Sequence, residues 1–87
     1  MRIFFHRRFK KQYRKKPQKI KRRFQERIVV FGRDPFDPSL RNHALGGIFD
    51  GYRSIDVTGD IRAMYKALDE ETIEFALIGT HHELYGT

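Results

Sequence analysis

Residues 61–78 read IRAMYKALDEETIEFALI, and this stretch decides the fold. Two alternating runs, 61–68 and 72–78, flank Asp69-Glu70-Glu71, the pattern of two β-strands joined by a turn. Successive strand side chains point to opposite faces, so Ile61, Ala63 and Tyr65 share a face, as do Ile73, Phe75 and Leu77. A third run, 49–57, ends at the turn Thr58-Gly59 and adds Ile55 and Val57 to that apolar face. An apolar sheet face must be covered. The opposite face is predicted to be polar and concave, showing Ser54, Asp56, Arg62, Lys66 and Glu74.

The cover lies upstream. Phe9 and Tyr13 stand four apart, and after Pro17 the set Ile20, Phe24, Ile28 and Phe31 repeats at helical spacing. The second helix is expected over 17–31, with Pro17 at its first position and Gly32 just past its end. Met1 to Phe5 reads as a short strand. The expected class is therefore α+β: an N-terminal strand and a two-helix hairpin on a small antiparallel sheet, within one domain over 1–87. Between hairpin and strands, residues 32–47 read GRDPFDPSLRNHALGG, with two Asp-Pro pairs that favour extended and turn backbone. A structured loop is expected there, anchored by Phe36, Leu40 and Leu45 and fixing His43 in place.

At 87 residues the chain supports one core. It contains no cysteine, so neither disulfides nor a thiolate metal site supplement that core. No apolar run approaches the roughly 18 residues of a membrane span, and Ile3 to Phe5 is too short for the apolar region of a secretory signal. A cytoplasmic, membrane-free protein is the expectation. Charge is polarised along the chain. Residues 1–24 hold twelve Lys or Arg and no acid, whereas residues 25–87 hold six basic and eleven acidic residues. Such a basic segment implies a polyanion or an acidic protein as partner, because it concentrates phosphate and gains counterion release.

The acid–base candidates cluster in the second half: His43, Asp56, Asp60, His81 and His82. Histidine exchanges protons cheaply near neutrality, so two of them with an aspartate suffice for a general base and a general acid. On spacing alone, four histidines in a small protein are more often surface or packing residues. A zinc site is disfavoured, since His81 and His82 are adjacent and no second ligand motif accompanies them. Tyr85, four residues after His81, suits an unstacked base, or closes the edge of the core with Leu84.

DPFDPSLRNHALGG (34–47), GYRSIDVTGDIRAMYK (51–66) and IGTHHELYG (78–86) together resemble the RelE/ParE superfamily of bacterial toxins, nearest its YafQ-like mRNA interferase branch. The resemblance runs through the loop PSLRxH, the strand D-x-R-x-x-Y and the terminal GTHxELY, in that order. It implies a β-α-α-β-β-β fold, ribosome-dependent endoribonuclease cleavage of mRNA, no metal or other cofactor, and a cognate antitoxin forming a hetero-oligomer with the toxin. Carried over by position, the catalytic residues fall on His43, Asp60, His81 and Tyr85. Where the pattern has a second central histidine this chain has Asp56, able to act as a base but not as a cationic acid. A metal-free RNase needs a base for the 2′-hydroxyl proton, an acid for the leaving 5′-oxygen and cations for phosphate. His81 is expected as acid and Asp60 or His43 as base or its orienter, with Arg53, Arg62 and Lys66 on the RNA. The superfamily also contains ParE-like gyrase inhibitors without nuclease activity, and a non-catalytic RNA-binding module is a further alternative.

Overall fold

The computed structural model describes residues 1–86. Its elements run β1 (Arg2–Phe5), α1 (Arg7–Arg14), α2 (Gln18–Arg33), β2 (His43–Ala44), β3 (Arg53–Asp56), β4 (Ile61–Asp69), β5 (Thr72–Thr80) and α3 (His81–Tyr85). The strands form one sheet in the order β1-β5-β4-β3-β2. The α+β architecture matches expectation, but β1 pairs parallel with β5, so the sheet is mixed, and β2, which puts the loop residue His43 in a strand, and α3 add to the expected elements. A parallel pair needs a long crossover between its strands, and everything from α1 to β4 lies between β1 and β5.

His6 caps α1 by accepting the Arg8 backbone N–H at Nδ1, 3.0 Å away. Pro17 is the N-cap of α2 and lies just outside it. Gly32 does not end the helix, which continues to Arg33 and stops at Asp34 (φ −156°, ψ 102°). Pro35 is the physical stop, because the residue before a proline is driven out of helical backbone.

The helical hairpin packs on an aromatic core. Phe75 is fully buried, with ring centroids of Phe31 and Tyr65 at 5.4 Å and Phe24 at 5.6 Å. Phe9 lies 5.8 Å from Phe75 and 5.3 Å from Phe24. Ile55, Val57, Ile61, Ala63, Ile73 and Leu40 complete this side. The backbone N–H of Ile78 donates to Gln12 Oε1 (2.8 Å), tying α1 to β5.

Leu77 departs from the predicted face. Met64 pairs with Leu77 but Tyr65 pairs with Phe75, so Ala76 is an extra residue in β5. This bulge shifts the alternation by one. Ile78 takes the helix-side position, and Leu77 joins Met64 and Leu84 on the other face. That second face is consequently not a bare polar surface. Met64, Leu77 and Leu84 form a small core there, with Leu45, Phe49 and Ala76 packed against it. Ser54 on the same face is buried.

One loop residue behaves differently from expectation. Leu40 is fully buried and Leu45 half-buried, but Phe36 is 61% exposed. Its backbone N–H is held by Asp34 Oδ1 (2.9 Å), and the guanidinium of Arg53 stacks 5.1 Å from its ring. Asn42 fastens the loop in its place. Its Nδ2 donates to Pro35 O (2.8 Å) and the Tyr65 hydroxyl (2.6 Å), while its Oδ1 accepts from Arg53 Nε (2.7 Å). The strand expected from 49 begins only at Arg53, since residues 47–49 form a 3₁₀ turn.

Candidate active site

Strand register assembles most of the candidates on the face carrying the small core. His43 pairs with Ser54, Ser54 with Met64, and Met64 with Leu77, so these four side chains stand in one row. One step along, Asp56, Arg62 and Gly79 form the next same-facing row. Ile61 is opposite Thr80, which brings Asp60, just before it, and His81, just after Thr80, to one end of the β4–β5 ladder.

His43 is exposed, and its Nδ1 lies 2.9 Å from the Arg41 carbonyl oxygen. A carbonyl only accepts, so Nδ1 carries the proton and the neutral ring keeps its lone pair at Nε2. Arg41 itself adopts left-handed backbone (φ 50°), which is uncommon for a side-chain-bearing residue and turns this carbonyl toward the ring.

Asp56 is tied into a cationic cluster. Its Oδ1 is 3.1 Å from Arg62 Nε and its Oδ2 3.9 Å from Arg41 Nε. Arg62 Nη1 also donates to the carbonyls of Thr58 (3.3 Å) and Gly59 (3.0 Å), so the guanidinium is fixed from two sides. Arg23 and Arg27 of α2 close the same cleft, a space of about 260 Å³. Four arginines and one aspartate line this cleft, and although Arg23 also pairs with Glu26 (3.4 Å) positive charge stays in surplus; the buried Nε of Arg27 makes no hydrogen bond among the described residues. This arrangement suits phosphate. Arg23, Arg27 and Arg41 were not singled out in the sequence. Arg23 and Arg27 are one turn apart in a helix full of basic residues, which gave no way to distinguish them.

The α3 helix carries the last two candidates. The His81 and Tyr85 rings lie 4.5 Å apart, tilted by 31°, as the i and i+4 spacing allows, and Tyr85 meets the edge of Phe49 at 5.4 Å. Leu84 fastens this helix onto Met64 and Leu77. At its start, Thr80 Oγ1 accepts from the Glu83 backbone N–H (3.0 Å) and Glu83 Oε1 accepts from the Thr80 backbone N–H (2.8 Å). Lys16, between α1 and α2, donates to both Glu83 oxygens at 3.1 and 3.3 Å. The Thr80 backbone N–H first, and then Lys16, hold the Glu83 carboxyl below its usual pKa. Gly79 makes room for this tuck, because a Cβ there would stand 3.0 Å from Glu83 Oε1.

Three candidates stand outside these rows and contacts. Asp60 is exposed in the turn before β4, not within a strand, and its carboxylate makes no hydrogen bond among the described residues. Arg53 points to the helix side, into the Asn42 and Phe36 cluster. Lys66 shares the site face, but stands about 13 Å from Arg62 along β4 at about 3.3 Å per residue. Its ammonium lies 5.5 Å from the Tyr52 ring and makes no ion pair with Glu74, its cross-strand neighbour. Among the described residues no group of three or more His, Cys, Asp or Glu is arranged to hold a metal ion. Among the same residues no helix is long and apolar enough to cross a membrane.

Known structures share this architecture. A YoeB/ParE toxin from Agrobacterium tumefaciens superposes with a TM-score of 0.77 at 19% identity, covering 93% of this chain and 99% of that one. YafQ from E. coli strain BL21(DE3) superposes at 0.73 with 24% identity, covering 99% and 100%. The archaeal RelE–RelB complex from Pyrococcus horikoshii OT3 gives 0.72 at 21% identity, covering 91% and 92%. The E. coli DinJ–YafQ complex gives 0.70 at 25% identity, covering 99% and 100%. No curated protein matches the sequence. Residues 1–86 match the family described as bacterial toxin of type II toxin-antitoxin system, YafQ, and the chain belongs to that family.

Proposed function

We propose that the chain is a cytoplasmic, ribosome-dependent endoribonuclease that inhibits translation by cleaving mRNA. The observation that supports it best is the shared face: His43 with its free Nε2, the guanidinium cleft around Asp56, and the His81–Tyr85 pair on α3. His43 Nε2 takes the proton of the 2′-hydroxyl, and the O2′ so released attacks phosphorus. Arg62 and Arg41, held by Asp56, stabilise the charge that develops on the phosphate oxygens. The bond from phosphorus to O5′ breaks as His81, charged, gives its proton to O5′. The products are a 2′,3′-cyclic phosphate and a free 5′-hydroxyl. Asp60 lies at the same ladder end as His81, and Tyr85 orients the His81 ring through their ring contact. Asp56 serves as the orienter of Arg62 in this scheme, since both its oxygens face guanidinium nitrogens.

Partnership follows from the same reading. The E. coli and archaeal relatives are each seen with an antitoxin, DinJ or RelB. An acidic antitoxin segment suits the helical hairpin here, where an apolar groove of about 420 Å³ over Phe9, Tyr13 and Phe24 is rimmed by Lys10 and Arg14. The remaining helical Lys and Arg contact ribosomal RNA through phosphate, without reading sequence. The test is cleavage of mRNA on translating ribosomes, with product ends identified and a chelator present. Cyclic phosphate ends formed by the wild type and lost with His81→Ala are expected. Growth arrest without any cleavage would instead place the chain with the gyrase inhibitors.

A further inference from the structure

A second cleft, of about 220 Å³, opens on the site face beyond the small core. Ile48, Phe49, Tyr52, Lys66, Glu74 and Arg8 of α1 are among the residues that line it. Three features of it are unexplained by folding. Ile48 is 87% exposed, an apolar side chain held in water at the mouth. Glu74 is half-buried, yet its carboxylate has no hydrogen bond or ion pair among the described residues. Lys66 leans over the Tyr52 ring although Glu74 stands directly across the strand.

The cleft is joined to the active site by aromatic rings. Tyr52 meets Phe49 edge-on at 6.1 Å, Phe49 meets Tyr85 at 5.4 Å, and Tyr85 lies tilted against His81 at 4.5 Å. A line of rings with cations beside it is how proteins hold single-stranded nucleic acid, since each base has a face to stack and each nucleotide a phosphate to neutralise. We infer that this cleft is a subsite for a nucleotide flanking the cleaved bond, its unstacked base held between Ile48 and the Tyr52 ring. Lys66 and Arg8 take the adjoining phosphate. Glu74 accepts a hydrogen bond from an amino group on the base edge, which cytosine has and uracil lacks. The inference rests on the RNA-cleaving reading for its biological meaning, but binding is measured without cleavage.

The test uses the full chain and six-residue 2′-O-methyl oligonucleotides of cytosine or uracil, which cannot supply the attacking hydroxyl. Tyr52→Leu is expected to weaken binding of the cytosine oligonucleotide about 5- to 100-fold. Its salt dependence should be unchanged, because stacking releases no counterions. Tyr52→Phe keeps the ring and should bind as wild type. Lys66→Gln should lower the slope of log affinity against log salt by about 0.7, one phosphate on a single strand. Ile48→Ala guards against misfolding as the cause, since so exposed a side chain costs the fold little; several-fold weaker binding at an unchanged melting temperature is expected. Wild type should prefer cytosine to uracil several-fold, and Glu74→Gln should narrow that preference. Wild-type affinity for Tyr52→Leu and Ile48→Ala overturns the subsite, as does loss of antitoxin binding with RNA affinity intact, which would make the cleft a protein dock. Should the wild type bind as expected and cleave nothing, the subsite stands and the nuclease reading fails.

Discussion

The two faces of the sheet differ in depth. On the helix side, twelve buried residues form one cluster around Phe75, whereas the other side has only Met64, Leu77 and Leu84 as its buried centre. The first face carries the stability, and its charges lie outside on α1 and α2. The second is a thin core flanked by two polar strips, Asp56 with Arg62 on one side and Lys66 with Glu74 on the other. A small domain tolerates such a face only because its packing is done elsewhere. Asp56 and Arg62 are paired there, whereas Glu74 makes no ion pair among the described residues.

Each face predicts its own response to mutation. Phe75→Ala should cost about 3–5 kcal/mol, as a fully buried ring with five aromatic neighbours. That is a large share of the roughly 5–15 kcal/mol available to a domain, and urea unfolding reads it directly. A loss below about 1 kcal/mol would break the contrast between faces. His81→Ala should do the reverse, lowering mRNA cleavage about 10²- to 10⁴-fold while unfolding stays within about 0.5 kcal/mol of wild type. Wild-type cleavage by this variant removes His81 as the acid.

Smaller effects sharpen the comparison. Leu84→Ala should cost about 2 kcal/mol, the low end for a buried leucine, because its site lies near solvent and collapses easily. Cleavage should fall further than the unfolded fraction explains, since α3 carries His81 and Tyr85. Asp56→Asn, with one charge-assisted bond to Arg62 weakened, should reduce cleavage about tenfold. If Asp56 is itself the base, the loss will be nearly complete and Asp56→His will restore activity.

The pH effect is the smallest. Thr80 and Lys16 hold the folded Glu83 pKa below its unfolded value, so this carboxylate stabilises α3 when pH lies above the unfolded value. The contribution is lost as pH falls through the lowered folded value. The His81 and Tyr85 ring resonances should therefore separate at acid pH before the core melts, and in Lys16→Met the separation should begin at higher pH. Joint loss of α3 and the core at one pH would show the two faces to be a single unit.

Alternation and helical spacing were enough to read the α+β class, the hairpin, the strands and the side of the sheet that the helices cover. These depend on periods of 2.0 and 3.6 residues, which any short window displays. The candidates His43, Asp60, His81 and Tyr85 could be named from short motifs, because spacing within PSLRxH, D-x-R-x-x-Y and GTHxELY is local. Their roles were not. Only strand register brought Arg62 onto Asp56, and only the packing of α2 brought Arg23 and Arg27 to the same cleft. The bulge at Ala76 could not be read from alternation, since an extra residue appears only when two strands are counted against each other. It reversed Leu77 and created the small core that seats α3. Phe36 and Arg53 were misplaced for a related reason, that Asn42 satisfies the loop through a partner 23 residues away, Tyr65. Local chemistry determined the elements and the candidate side chains, and contacts between distant segments decided which of them meet.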